Sequence, residues 1–210
     1  MIDIDNFIWP ASDVRGKKAI VPEAREAIPG FLPFVKGRNR AIQAGANVGV
    51  YPALLSEHFD WVECYEPHRG NATALAENLK DIHNVECLQK ALGQISNQRV
   101  KFNETEPDNC GAHTFHAVQD EDERHHTRTV ALDDIHRTHC DLIWLDCEGA
   151  ELPALRGAIK TILAFSPVII LEEKNHGKLF GYSLDDLHAF LAGLGYSEKA
   201  RCYNDRLYTR

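Results

Sequence analysis

Two glycines, an asparagine and three carboxylates carry most of the chemistry legible in this chain. In the run Gln43-Ala44-Gly45-Ala46-Asn47-Val48-Gly49, small residues end an apolar stretch and precede a helix-like one. Glycine permits positive φ and lets a ligand approach the backbone. A strand-to-helix turn also presents unpaired N–H groups to that ligand. A dinucleotide fingerprint requires G-x-G-x-x-G. Counted from Gly45, it needs glycine where Asn47 and Val50 stand. The expectation is therefore a nucleotide-like cofactor of another kind. Glu66 and Pro67 close a second apolar run, VECYEPH, and a carboxylate there accepts hydrogen bonds from both ribose hydroxyls of an adenosine. Lys90, Ala91 and Leu92, in QKALG, are suited to border the adenine.

The other two carboxylates lie in LIWLDCEGAELPALRGA. Asp146 closes an apolar strand, so it should emerge at the same sheet edge as Gly45 and Glu66. Ligands of open α/β sheets bind at that edge. Glu148 follows, and Gly149 permits a sharp turn into a helix. Glu151 falls in that helix's first turn, where a negative charge is favoured by about 0.3–1 kcal/mol. Its expected role is structural.

Those residues need a scaffold that delivers them to one edge. Strand-like segments are expected at 40–44, 61–65 and 85–89, in DLIWLD and in PVIILEE, with helix-like segments at 48–58, 68–80, 151–163 and 183–194. Near-continuous apolar strands alternating with helices indicate a parallel sheet covered on both faces. Ser183 is a suitable N-cap. The region 98–128 is polar and histidine-bearing and reads as hairpins and loops. The stretch YSEKARCYNDRLYT reads as a hairpin about Asn204 and Asp205, which adds one antiparallel strand at or near an edge. Residues 1–38 contain Pro10, Pro22, Pro29 and Pro33 and read as an irregular arm or cap on a domain spanning 39–210. Trp9, Pro10 and Asp13 would either close over the cofactor as a lid or simply pack against the domain.

A length of 210 residues suits one substantial core. The net charge of −8 and the want of a Lys/Arg run disfavour a nucleic-acid partner. No apolar run reaches the roughly 20 residues that span a bilayer, and the acidic N-terminus does not resemble a signal peptide. The six cysteines form no CxxC pair and are expected to be reduced, in a cytoplasmic protein. Histidines in HTFHAV, ERHH and HRTHC match no standard zinc spacing, so no metal is expected.

Taken together, AIQAGANVGVYPALL, VECYEPHRGNATALAENL, KALG, VALDDI and LIWLDCEGAELPALRGA resemble the FkbM family of methyltransferases. The likeness covers roughly residues 40–173. It implies the Rossmann-like class I fold that uses S-adenosyl-L-methionine: a seven-stranded, mostly parallel sheet with an antiparallel last strand and helices on both faces. By the same resemblance, Gly45, Ala46, Asn47 and Gly49 would cradle the methionine portion and Glu66 would hold the ribose. Pro67, His68 and Ala91 would border the adenine, and Asp146 would lie near the sulfonium and the acceptor. The family's first-strand motif usually begins with an acid; Gln43 stands there instead. An amide can order the loop or accept from the methionine ammonium, but supplies no charge.

Methyl transfer from a sulfonium is an in-line displacement, so the protein chiefly aligns nucleophile and methyl. A hydroxyl acceptor benefits from a general base. The candidates are Asp146, Glu148 and a histidine of the 98–128 region, His113 first, with His116 close by. No Asn/Asp-Pro-Pro-aromatic tetrapeptide of exocyclic amino-group methylation is present. O-methylation of a small molecule or sugar is the leading expectation. A catalytically silent binding module on the same fold, and a methyltransferase acting on protein or RNA, remain the alternatives.

Overall fold

The strand segments form in the computed structural model, which describes residues 2–11, 13, 15–103, 114–117 and 126–210. In chain order the strands are β1 (Arg40–Ala44), β2 (Trp61–Tyr65), β3 (Val85–Leu88), β4 (Ala91–Leu92), β5 (Arg99–Asn103), β6 (Thr114–Ala117), β7 (His126–Val130), β8 (Leu142–Leu145), β9 (Val168–Glu172), β10 (Ser197–Cys202) and β11 (Asp205–Thr209). The helices are α1 (Gly16–Phe31), α2 (Val50–Ser56), α3 (Arg69–Leu79), α4 (Glu151–Arg156), α5 (Ile159–Phe165) and α6 (Leu184–Gly193). Seven strands join in the order β10-β11-β9-β8-β1-β2-β3. The strands from β9 to β3 are mutually parallel, and β11 runs antiparallel between β9 and β10. This is the Rossmann-like class I arrangement that the resemblance implies, with the reversed strand one place in from the edge.

Alternation along the strands sorts the side chains into two cores. Ala41, Val62, Cys64, Leu142, Trp144, Ile170 and Leu207 pack with α1, α2 and α3 on one face. Ile42, Ala44, Tyr65, Ile143, Leu145, Ile169 and Leu171 pack with α4, α5 and α6 on the other. Glu63 belongs to the second face and is buried against Arg137. It also accepts from Arg40 Nη1 at 3.1 Å, and Tyr65 Oη donates to it. The Arg137 guanidinium, the side-chain hydrogen bonds and Arg40 together outweigh burial and hold the Glu63 carboxyl below the ordinary range.

Two local expectations differ from what forms. Residues 16–31 are one helix despite Pro22 and Pro29. An interior proline costs a helix about 3 kcal/mol, but both of these face solvent, where water reaches the carbonyls left without N–H partners. Val21, Ile28 and Phe31 are buried, at about 1.5–3 kcal/mol each, and that outweighs the penalty. The helix expected over 151–163 breaks into α4 and α5. A Cβ at Gly157 would lie 2.1 Å from the Gly93 carbonyl oxygen, so the chain crosses tightly there. Asp133 then takes over as cap, accepting from the N–H of Lys160 at 2.8 Å and of Thr161 at 2.9 Å. The hairpin character expected of 98–128 does form: β5 and β6 pair antiparallel, and with β7 and β4 they make a second four-stranded group.

The start of the chain is held by Asn78 of α3, which accepts from Ile8 N at 2.7 Å and donates to the Ile8 carbonyl at 2.9 Å. Trp9 packs against the α1–α3 core. Trp9 and Pro10 border a groove over α3 and β3 rather than the strands' carboxyl ends. Of the two readings of this segment, packing is the one that forms. Asp13 accepts from Gly16 N at 2.6 Å, at the start of α1. Among the described residues, no helix is long and apolar enough to cross a membrane.

Candidate active site at the carboxyl ends of the parallel strands

The strand ends surround one cavity of about 380 Å³, within the range of small-molecule sites. The turn after β1 is locked to its neighbours. Gly45 and Ala46 both donate backbone N–H to the Tyr65 carbonyl at 3.0 Å, and Asp146 N donates to the Ala44 carbonyl at 3.0 Å. Gly45 has φ +78°, and a Cβ there would fall 1.7 Å from the Asp146 carbonyl oxygen. Only glycine lets the ends of β1 and β8 meet this closely.

At the β2 end, the buried Glu66 carboxylate accepts from Asn47 N and from His68 N, each at 2.8 Å. Burial nevertheless dominates those bonds and, with Asp146 nearby, pushes its pKa up to about 8. His68 is the N-cap of α3, its Nδ1 accepting from Asn71 N. Gln43, Gly45, Ala46, Asn47, Glu66 and Pro67 line the cavity, as do His68, Ala91, Asp146 and Glu148. Gly49 stands apart. Its φ of +101° starts α2, and a Cβ there would meet Leu75 at 2.9 Å, so its role is in the turn. His113 lies outside the described residues. His116 is exposed on β6 and does not line the cavity.

At the other end the cavity is acidic. Asp146, Glu148 and Glu172 bring carboxylate oxygens within 4.8 Å of one another. Lys174 spans two of them, at 2.7 Å from Glu172 and 3.2 Å from Glu148. His176 Nδ1 lies 2.7 Å from the second oxygen of Glu148. Burial and the hydrogen-bonded Asp146 push Glu172 up to about 11. Asp205, across from Glu172 in the β9–β11 register, is raised to about 7 by burial and Asp146, despite the Trp144 indole N–H it accepts. Glu23 of α1 completes the roof, also raised by burial.

Glu172, Lys174, Asp205, Glu23, Tyr51 and Trp144 were not singled out from the sequence, though all line the cavity. Two had an available signal. Glu172 ends an apolar strand just as Asp146 does. Asp205 begins an antiparallel strand, and such a strand starts where its parallel neighbours finish. Glu151 is buried and folds back on its own turn, accepting from Cys147 N at 2.9 Å and from Gly149 N at 3.2 Å. That is the structural role expected of it.

This architecture is shared with solved structures. An FkbM methyltransferase from Methylobacillus flagellatus KT superposes with a TM-score of 0.57 at 16% identity, over 98% of this chain and 56% of that one. The chain thus spans little more than half of that protein's length. A putative methyltransferase from Streptococcus mutans in complex with SAH gives 0.52 at 14% identity, covering 88% and 95% of the two chains. Magnesium protoporphyrin IX methyltransferase from Synechocystis PCC 6803, with bound SAM, gives 0.51 at 10% identity, covering 92% and 81%. No protein of curated function matches the sequence. The profile of the methyltransferase FkbM domain matches residues 43–198, from the β1 turn to the start of β10. With that match over most of its length, the chain belongs to the FkbM methyltransferase-domain family.

Proposed function

We propose that this protein is an S-adenosyl-L-methionine-dependent methyltransferase that methylates a hydroxyl of a small molecule or saccharide. One observation carries the reading: the Asn47 backbone N–H and the Glu66 carboxylate meet at 2.8 Å on the wall of one cavity that also holds Asp146. The residues fit the cofactor chemically. The Glu66 oxygens accept one backbone N–H each and the carboxylate also accepts from the Asn71 side chain, which leaves acceptor capacity for a ribose hydroxyl. Pro67, His68, Ala91 and Leu92 flank that point with a low-polarity rim suited to a purine. Gly45, Ala46 and Asn47 line the cavity beside that point, but their N–H groups are already bonded to the Tyr65 carbonyl and to Glu66 rather than unpaired as the turn pattern suggests, so they shape the space for the methionine portion.

When bound, the cofactor supplies a methyl group already activated on sulfur. The chain's own part is to hold the acceptor in line and to take its proton. Asp146 is the group to do so, being half-buried at the end of a central strand. Glu148 is engaged by Lys174 and His176 and instead positions that lysine. Gln43 orders the loop, its Nε2 donating to the carbonyls of Ala44 at 3.1 Å and Gly45 at 3.3 Å.

Calorimetry with S-adenosylhomocysteine tests this reading. Binding is expected, and Glu66→Ala should weaken it by about 1–3 kcal/mol, the loss of hydrogen bonds to a charged acceptor. Affinity should also rise with pH through about 8, as Glu66 gives up its proton. No binding at millimolar ligand, or unchanged affinity in the variant, would overturn the assignment.

A further inference from the structure

The acidic end of the cavity has a composition that the proposed methyl transfer does not require. Strand parity places its strand residues on one face. Gln43, Trp144, Glu172 and Asp205 share the side of the sheet covered by α1, and Glu23 reaches the cavity from α1 itself. Among the described residues, no lysine or arginine forms an ion pair with Glu23, Asp146 or Asp205; Lys174 is shared between Glu148 and Glu172. Two neutral features lie beside these charges. Gln43 is 1% exposed, and its Oε1 has no hydrogen-bond partner. Its register partner across β1 and β8 is Trp144, so the amide and the indole stand on the same face and both line the cavity. Tyr51 packs edge-on against Trp144, with ring centroids 4.9 Å apart, and lines the cavity too.

Carboxylates, an unpaired carbonyl oxygen and two aromatic rings have one ligand chemistry in common: all attract an organic cation. Lys174 shows that an ammonium fits between these carboxylates. Resting on the methyltransferase reading above, we infer that the end of the cavity formed by β8, β9 and β11 is a seat for a protonated amino group on the acceptor. The ammonium is a handle that orients the molecule, and the methylated hydroxyl lies elsewhere on it, toward Asp146. The acceptor class is thus a small amine-bearing alcohol, an amino sugar or amino alcohol, rather than a neutral or acidic one. A cation entering there also stabilises the ionised acids, so its binding releases protons near neutral pH, Asp205 with its pKa of about 7 being the natural source.

Calorimetry on the full chain saturated with S-adenosylhomocysteine tests this, with two matched pairs of probes: D-glucosamine against D-glucose, and putrescine against 1,4-butanediol. Each amine should bind at least about tenfold more tightly than its neutral partner, the gap narrowing at high salt. Net proton release should appear as a dependence of the heat on buffer ionisation enthalpy. Asp205→Asn should cut amine affinity about fivefold or more while leaving S-adenosylhomocysteine binding unchanged. Glu23→Gln, on an accessible helix, is the second variant and should act in the same direction. Amines that bind no better than the neutral probes would overturn the inference. So would micromolar Mn²⁺ binding that Glu172→Gln abolishes and the amines do not compete for, since the cluster would then be a metal centre. Failure of S-adenosylhomocysteine itself to bind would instead sink the methyltransferase reading.

Discussion

The two ends of the cavity solve opposite problems with the same kind of residue. At the β2 end a single carboxylate, Glu66, is fixed by backbone: the N–H groups of Asn47 and His68 grip its two oxygens. At the β9 and β11 end, Asp146, Glu148, Glu172 and Asp205 crowd one another, and Lys174 is the cation that bridges two of them. Backbone donors cannot be exchanged without rebuilding the turn, whereas side chains can be changed one at a time. The first end suits a ligand that stays constant, and the second suits one that varies.

The sharpest way to break the comparison is at the residue joining the two ends. Gly45→Ala would drive a Cβ into the Asp146 carbonyl at a left-handed φ and should cost above about 5 kcal/mol, enough to unfold the protein. Gly181 has a similar φ of +76° but nothing within 4 Å of its would-be Cβ. Gly181→Ala should therefore cost only about 1–2 kcal/mol. Denaturant melts of both variants check the pair, and equal losses would mean that strain rather than contact sets the value at Gly45.

The next effect concerns the support beneath β2. Glu63→Ala leaves the Arg137 guanidinium buried without its carboxylate, a loss of about 3–5 kcal/mol. The same melts measure it. A cost below about 1 kcal/mol would show that water reaches Arg137.

The smallest effect separates the ends by pH. Burial raises Glu66 to about 8, Glu151 and Asp205 to about 7, and Glu172 to about 11. Above their unfolded values the folded state therefore binds more protons than the unfolded one, so stability falls as pH rises through this window. The depressed carboxyl of Glu63 acts below its ordinary value of 4.5 and does not oppose the trend. Thermal melts without ligand should show the protein less stable at about pH 8 than at about pH 5.5. Glu172→Gln should flatten the slope. A stability that climbs with pH instead would mean these acids are already ionised.

How much of this could be read from the chain follows from how each feature is encoded. The turn at Gly45, the acid at Glu66 and the strand ending in Asp146 are local patterns, and local patterns survive in one dimension. Ser183 likewise caps α6 with a full capping box that includes Asp186. The helix through Pro22 and Pro29 was hidden because tertiary burial of Val21, Ile28 and Phe31 overrides a local signal that reads the other way. The break between α4 and α5 depends on Gly93 passing Gly157, a contact that no window of sequence contains. The acidic end fell between these cases. Glu172 and Asp205 obey the same strand-end rule as Asp146, but Glu23 needed the helix that the prolines concealed.

Strand β10 is the outer edge of the main sheet, with Ser197, Glu198, Lys199 and Arg201 exposed and its register slipping between Glu198 and Ala200. A foreign chain trying to extend the sheet there meets dense charge and an interrupted ladder. This edge of the sheet is thereby guarded against pairing with a second copy into fibrils.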